Sequence, residues 1–220
     1  MGGVSLLPIN NIAGIEKQEE KKEGNHVIAF LLVKPSDDGA ESYIKKFNYW
    51  HQRSKEYCSI YLLGYSKKFN EKYQDIEYVK GINNQIWEYS DECFSETCDE
   101  LKERIKKWNY SGEPELIVLQ NSSSVKPRSY LDFSNYVCID VNYGISKGYI
   151  DSFARFMEHF IDACKREVSA TSAISIIQKK KMSPRRIIEV TIDSIPKLPE
   201  PVSEILKDEV FFRTCKAKIK

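Results

Sequence analysis

The chain has 220 residues, of which 41% are hydrophobic and 30% are charged, and its formal net charge is +1 at neutral pH. This length suffices for one ordinary domain with an appendage, and the near-zero charge argues against nucleic-acid binding by the chain as a whole. No apolar run approaches the roughly 18–20 residues that a transmembrane helix needs, so no membrane contact is expected.

The first 24 residues are predicted to form a weakly ordered leader, because residues 16–23 carry mixed charge and almost no apolar side chains. From there to about residue 166, apolar strand-like runs alternate with amphipathic helical runs. The strand patterns cover 26–33, 59–63, 115–119 and 136–141, and the helical patterns cover 40–57, 91–108 and 148–166.

This alternation predicts one α/β domain over residues 25–166, a three-layer sandwich with a mainly parallel sheet of four or five strands. The stretch 66–90 is ambiguous: it fits two short strands, at 76–79 and 85–89, or one irregular excursion.

Residues 167–220 are predicted to be a basic, proline-interrupted extension, with Pro196, Pro199 and Pro201 excluding regular structure around them. Residues 179–186 hold five positive side chains in eight positions. Such a patch fits a solvated loop, an acidic protein partner or nucleic-acid phosphates. It lacks interleaved aromatic residues for base stacking, so a protein partner is favoured over nucleic acid.

If the strands are parallel, the loops that follow them meet at one edge of the sheet, where α/β proteins bind ligands. These loops supply hydroxyl, amide and carboxylate groups that suit a small polar or phosphorylated ligand. The same residue types also build turns, which is the plainer explanation for any one of them. The predicted ligand-binding residues are Ser36, Asp37, Asp38, Ser66, Asn121, Ser122, Asn142 and Tyr143, with Lys126 and Arg128 as anion contacts.

The segment Tyr49-Trp50-His51-Gln52-Arg53-Ser54 is the most unusual local cluster in the chain. His51 and Arg53 are candidate anion contacts, with His51 also a candidate general base. The structural alternative is that Trp50 fills the core while His51 and Arg53 complement the end of a helix. The segment resembles, in general character only, small α/β proteins of bacterial defence gene clusters. That resemblance implies an accessory role in antiviral defence, and no site residue follows from it.

Several chemistries lack their signatures in this sequence. The three histidines and six cysteines show no metal-ligand spacing, so no metal is expected, and no residue pattern identifies a cofactor. A nucleophile elbow, a glycine-rich phosphate loop and a C-x-x-C pair are likewise missing. No signal peptide is visible, and isolated cysteines suit a reducing compartment, so a cytoplasmic location is expected.

These observations favour a ligand-binding or regulatory protein that contacts a protein partner through its C-terminal extension. The alternative is an enzyme that acts on a nucleotide or nucleoside at the sheet edge, with Asp37 or Asp38 as the reactive carboxylate. Apart from these carboxylates and the candidate base His51, the sequence identifies no catalytic residue.

Overall fold

A computed structural model describes residues 11–22, 27–54, 57–69, 71–81, 85–105, 108–121, 131–146, 148, 150–165 and 189–190. Its helices are Ile12–Glu19 (α1), Ala40–Ser54 (α2), Asp91–Arg104 (α3), Val141–Ser146 (α4) and Phe153–Cys164 (α5). Its strands are Val27–Leu32 (β1), Cys58–Leu62 (β2), Tyr65–Ser66 (β3), Glu77–Lys80 (β4), Ile86–Tyr89 (β5), Glu115–Asn121 (β6), Leu131–Asp140 (β7) and Glu189–Val190 (β8).

The main sheet has the strand order β2-β1-β6-β7-β8 and is mixed. Strands β1 and β2 pair in parallel, with α2 between them along the chain. The pairings β1–β6, β6–β7 and β7–β8 are all antiparallel. The prediction of helices combined with a sheet is therefore confirmed, whereas the prediction of a mainly parallel sheet is wrong.

The prediction was wrong because buried, wholly apolar strands were taken as evidence that the strands pair in parallel. All six residues of β1 are buried, as in a parallel sheet, because β1 lies inside the sheet. Parallel neighbours need a crossover connection of about a dozen residues or more, but only residues 122–130 connect β6 to β7. That short polar connection favours an antiparallel pair.

A second, smaller sheet occupies the stretch that the sequence left ambiguous. Its order is β3-β5-β4, and both of its pairings are antiparallel. Helix α3 follows directly, and Ser90 caps its first turn by accepting the Cys93 N–H at 3.0 Å. The Ser90 hydroxyl in turn donates to Asp75 at 2.6 Å, which ties the loop before β4 to the start of α3.

Helix α1 lies within the predicted leader but is docked on the domain. Ile12 and Ile15 are buried in the hydrophobic core. The Ile12 N–H donates to Glu100 of α3 at 2.9 Å, and Arg104 pairs with Glu16 at 2.8 Å. The structure therefore places a docked helix at residues 12–19, while the weakly ordered leader and the proposed domain boundaries stay predictions.

Helices α2 and α5 pack against each other beside the main sheet. Trp50 of α2 meets Phe153 of α5 edge to face, with ring centroids 5.5 Å apart. Nearer the end of α2, Arg53 pairs with Glu158 at 2.9 Å and Asp162 at 3.2 Å. Within the described ranges, no helix is both long and apolar enough to cross a membrane.

Most of the C-terminal extension, including residues 179–186, lies outside the described residues. The part described is β8, which pairs with β7 through Val137↔Val190 and Cys138↔Glu189. This portion of the extension adds an edge strand to the main sheet.

Candidate functional site

Part of the predicted ligand set lies at one edge of the main sheet. Asp37 follows β1, Ser66 lies four residues beyond β2, and Asn142 and Tyr143 follow β7. The end of β1 is beside Glu115 at the start of β6, which is itself beside Asp140 at the end of β7. Antiparallel pairing therefore still places these strand ends together.

Asn121 does not belong to this edge. It ends β6, which runs antiparallel to β1, and its neighbour Gln120 pairs with Val27 at the start of β1. The length of β1, about 17 Å, therefore separates Asn121 from the loop that holds Asp37. The predicted convergence fails at this position because β6 is not parallel to β1. Ser122, Lys126 and Arg128 lie outside the described residues.

The predicted residues that do meet at the edge bond to neighbouring turns. Ser66 donates to the Lys68 carbonyl at 2.8 Å, and the Asn142 amide donates to Glu113 at 2.7 Å. The Tyr143 N–H donates to the Asp140 carboxylate at 2.8 Å. Ser36 and Asp38 are exposed. These contacts are expected if the residues serve to build turns, which was the plainer explanation for their presence.

The charged groups at the edge are also paired. Asp37 accepts the Lys34 N–H at 2.6 Å, while the Lys34 ammonium contacts Asp91 at 2.7 Å. Asp91 also accepts the Tyr89 hydroxyl at 2.9 Å, and the hydrogen bond from Lys34 lowers the pKa of the Asp91 carboxyl. The sequence analysis missed Lys34 and Asp91, although Lys34 stands directly beyond the first strand pattern.

Glu115, at the start of β6, is buried, with 4% of its surface exposed. Its carboxylate accepts the Trp108 indole N–H at 3.0 Å, the Ser111 N–H at 3.0 Å and the Cys138 thiol at 3.5 Å. Burial raises the pKa of this carboxyl despite those donors. Glu115 thus fastens the loop between α3 and β6 to the sheet.

One group at the edge lacks a partner. The Tyr110 hydroxyl is buried and makes no hydrogen bond within the described part of the chain. Burial raises its pKa, and the negative charge of Asp37 adds to the shift. Burial likewise raises the pKa of Asp37, helped by the nearby charge of Glu113.

His51 and Arg53 lie far from this edge. About 17 Å of helix separates His51 from the start of α2, next to Asp37. His51 stacks on Phe47, and burial lowers its pKa. Arg53 is committed to Glu158 and Asp162. The segment thus fastens α2 to α5, which is close to the alternative in which these side chains have a structural role at the helix end. The structure brings neither His51 nor Arg53 to the predicted ligand set.

A cavity with a volume of about 1090 Å³ opens beside α2 and α5. We call it the α2–α5 groove. It slightly exceeds the usual range of small-molecule sites, which is about 300–1,000 Å³. Its lining combines polar and apolar surface and consists of Lys46, Asn48, Tyr49, Trp50, Gln52, Gln85, Ser152, Ala154, Arg155 and Glu158.

The groove extends across the exposed side of α2. At 3.6 residues per turn, Lys46 and Trp50 lie on one flank of this helix, and Asn48 and Gln52 lie on the roughly opposite flank. Tyr49 lies between the two flanks with 45% of its surface exposed. An aromatic ring is therefore available in the middle of the groove.

Two buried polar atoms, which belong to lining residues but are not themselves exposed to the groove, have no hydrogen-bond partner among the described residues. They are the indole Nε1 of Trp50, a residue that is 1% exposed, and the Oδ1 of Asn48. The Asn48 amide donates instead to the Gln85 side chain. Buried groups left unpaired are costly, so such atoms call for an explanation.

The groove includes part of the unusual Tyr49–Ser54 segment but not its two candidate anion contacts. Tyr49, Trp50 and Gln52 line the groove, whereas His51 and Arg53 do not appear in its lining. Arg155 and Gln85 reach it from distant parts of the chain, and only the packing of α2 on α5 and β5 brings them together. No cluster of three or more His, Cys, Asp or Glu side chains in the described ranges is arranged to hold a metal ion.

Comparison of the chain with protein-family models, with curated proteins and with solved structures found no match.

Proposed function

We propose that this protein is a ligand-binding or regulatory protein whose small polar ligand occupies the α2–α5 groove. The observation that carries the proposal is the open volume of about 1090 Å³ around which polar side chains of α2, of α5 and of Gln85 converge. The exposed Tyr49 ring offers a surface for stacking a flat or apolar face.

The proposal moves the ligand away from the sheet edge. At the edge, the predicted side chains that are described are mainly engaged with their own turns. In the groove, amide, hydroxyl and aromatic groups surround open volume. Convergent polar groups around a cavity are the usual mark of a small-molecule site.

The experiment is a thermal-shift screen of the purified full chain against nucleotides, nucleosides, sugars and phosphorylated metabolites. A ligand that binds only the folded state raises the unfolding midpoint by mass action. The blocking variant is Ala154→Trp, and the matched control is Ser95→Trp on the exposed side of α3. We expect a ligand whose shift is lost in Ala154→Trp and kept in Ser95→Trp.

Ala154 is partly buried, so its replacement needs a second test of the same site. Tyr49→Ala removes the exposed ring without adding volume and is expected to weaken the same ligand. A ligand that binds both groove variants as tightly as the natural chain would refute the proposed site. A screen in which no compound raises the midpoint would also count against it.

The second candidate function is an enzyme that acts on a nucleotide or nucleoside at the sheet edge. The raised pKa of Asp37 and the unpaired Tyr110 hydroxyl favour it, since perturbed acids and unsatisfied polar groups cluster at active sites. A nucleotide whose conversion is abolished in Asp37→Asn but unaffected in Ala154→Trp would establish this function.

We retain the C-terminal extension as the segment proposed to contact a protein partner, on the strength of its basic charge. A cytoplasmic location and an accessory role in bacterial antiviral defence also stay predictions.

A further inference from the structure

We infer that Cys58 and Cys164 form a modification site, where a small disulfide oxidant joins their free thiols into a cross-link between β2 and α5. Cys58 is the first residue of β2, and Cys164 is the last residue of α5. The site is independent of the α2–α5 groove and of any ligand bound there.

Two side-chain contacts beside the cysteines hold the end of α5 against the start of β2. The Lys165 ammonium lies 5.8 Å from the centre of the Tyr57 ring, and each of these residues is next to one of the cysteines in the chain. The ion pair between Arg53 and Asp162, at 3.2 Å, joins the same two segments slightly earlier in each. The fold thus brings together two cysteines that are 106 positions apart in the chain.

The two thiols are themselves in contact. A hydrogen bond with the Cys58 thiol, together with burial, raises the pKa of the Cys164 thiol. Both side chains belong to the hydrophobic core, with 1% of Cys58 and 5% of Cys164 exposed, and both are free thiols. Two thiols that already touch across a packed core need little backbone movement to form a disulfide.

Burial determines where the reaction begins. A buried, protonated thiol is a poor nucleophile, so the reaction begins when the last turn of α5 frays and exposes Cys164 at its end. The Cys164 thiolate attacks oxidised glutathione, which forms a mixed disulfide and releases one glutathione thiolate. The Cys58 thiolate then attacks the Cys164 sulfur and releases the second. Two electrons pass from the protein to glutathione, and the two cysteine protons pass through water to the released thiolates.

The test is peptide mapping by mass spectrometry after the full chain has been incubated with oxidised glutathione, in native buffer and in urea. In native buffer, we expect the main disulfide to join Cys58 and Cys164. In urea, Cys93 and Cys98 should pair instead, because their much shorter loop is favoured by roughly one to two orders of magnitude. In the folded chain, α3 holds Cys93 and Cys98 on different sides of the helix.

Substitutions assign the cross-link to its two sulfur atoms. Cys58→Ala and Cys164→Ala should each abolish the linked peptide in native buffer. The matched control is Cys138→Ala, which removes another buried thiol and should keep the cross-link. Mapping of the natural chain needs no substitution, so it decides the question even where an alanine variant fails to fold.

The cross-link should also stabilise the folded chain. It closes a long loop and so removes entropy from the unfolded state, and we expect oxidation to raise the urea midpoint of unfolding by about 1–2 M. A native map without the link between Cys58 and Cys164 would overturn the inference, as would a native map identical to the one in urea. An oxidised chain that unfolds at lower urea concentration than the reduced chain would also overturn it.

Discussion

The sheet edge and the α2–α5 groove differ in how far their polar side chains bond to one another. At the edge, Glu115 accepts three donors and Lys34 is held by Asp91, and the Tyr110 hydroxyl is the exception without a partner in the described part of the chain. Around the groove, polar side chains surround open volume, and Tyr49 is 45% exposed. The comparison teaches that a concentration of polar residues marks a site only when their hydrogen-bonding capacity is not used internally.

The comparison predicts that substitutions at the edge damage stability, and the largest effect is expected at Gly64, just after β2. Gly64 has φ +79°, and a Cβ there would lie 2.8 Å from the Cβ of Phe94. Gly64→Ala should therefore lower the free energy of unfolding by about 2–4 kcal/mol, from strain and overpacking together. Urea denaturation measures the change.

Gly112→Ala is the control for this substitution. Gly112 has φ +89°, but a Cβ there would meet nothing within 4 Å. Gly112→Ala should therefore lower the free energy of unfolding only by the backbone strain, about 1 kcal/mol. Equal losses in the two variants would show that contact with Phe94 is unimportant at the edge.

Glu115→Ala should be the next most damaging change. It would leave the buried Trp108 indole and the Ser111 N–H without their acceptor, at a cost of about 2–3 kcal/mol. Glu113→Ala, which removes a more exposed carboxylate and its bond to Asn142, should cost less than about 1 kcal/mol. If the denaturation curves of the two variants coincide, Glu115 does not stabilise the edge more than Glu113 does.

A smaller effect is expected from Asp91, and it depends on pH. Because its pKa is lowered in the folded state, Asp91 stabilises the protein above its unfolded-state pKa, and this stabilisation disappears as pH falls through the folded-state pKa. Asp91→Asn should thus lower the free energy of unfolding at neutral pH by less than about 1 kcal/mol, because the pair is so exposed. On acidification, the free energy of unfolding should fall less in this variant than in the natural chain.

The measurement is the free energy of unfolding at a series of pH values from neutral to below 4. Asp99→Asn, on the exposed side of the same helix, controls for removing a charge from α3. If the natural chain and Asp91→Asn show parallel pH profiles, the Lys34–Asp91 pair contributes nothing at the edge.

The smallest effects on stability are expected in the groove. Tyr49→Ala and Lys46→Gln should each change the free energy of unfolding by no more than about 0.5 kcal/mol, because both side chains are largely exposed. Their expected effect is on ligand affinity instead. A loss of 2 kcal/mol or more in urea denaturation, a threshold set well above the usual surface range, would mean that the groove is a structural feature rather than a site.

The strands and helices of the main domain could be predicted from the sequence because their signals are local. The apolar run at β1 and the amphipathic stripes of α2, α3 and α5 all recur in the structure within a few residues. The direction of a strand, by contrast, is not set by its local sequence. Strand β6 pairs antiparallel with β1, so Asn121 lies at the opposite end of β1 from the predicted ligand set. Only the short connection between β6 and β7 hinted at the correct arrangement.

The groove was harder to anticipate than the fold. Its lining joins residues 46–52 of α2 to Gln85 and to residues 152–158 of α5, and no periodicity connects these segments. What made the Tyr49–Ser54 segment unusual was its aromatic and polar mixture, but the sequence could not show which of its side chains face α5. His51 and Arg53 had the more reactive groups, and both are used in packing or ion pairing.

The position of β1 in the sheet also bears on how the chain emerges from the ribosome. Its β2 neighbour follows within about 30 residues, but its β6 neighbour comes almost 90 residues after it. At about 5–20 residues per second, synthesis from the end of β2 to the end of β6 takes about 3–12 s. Throughout that interval one hydrogen-bonding edge of a wholly apolar strand has no native partner, which is the situation that promotes aggregation and chaperone capture.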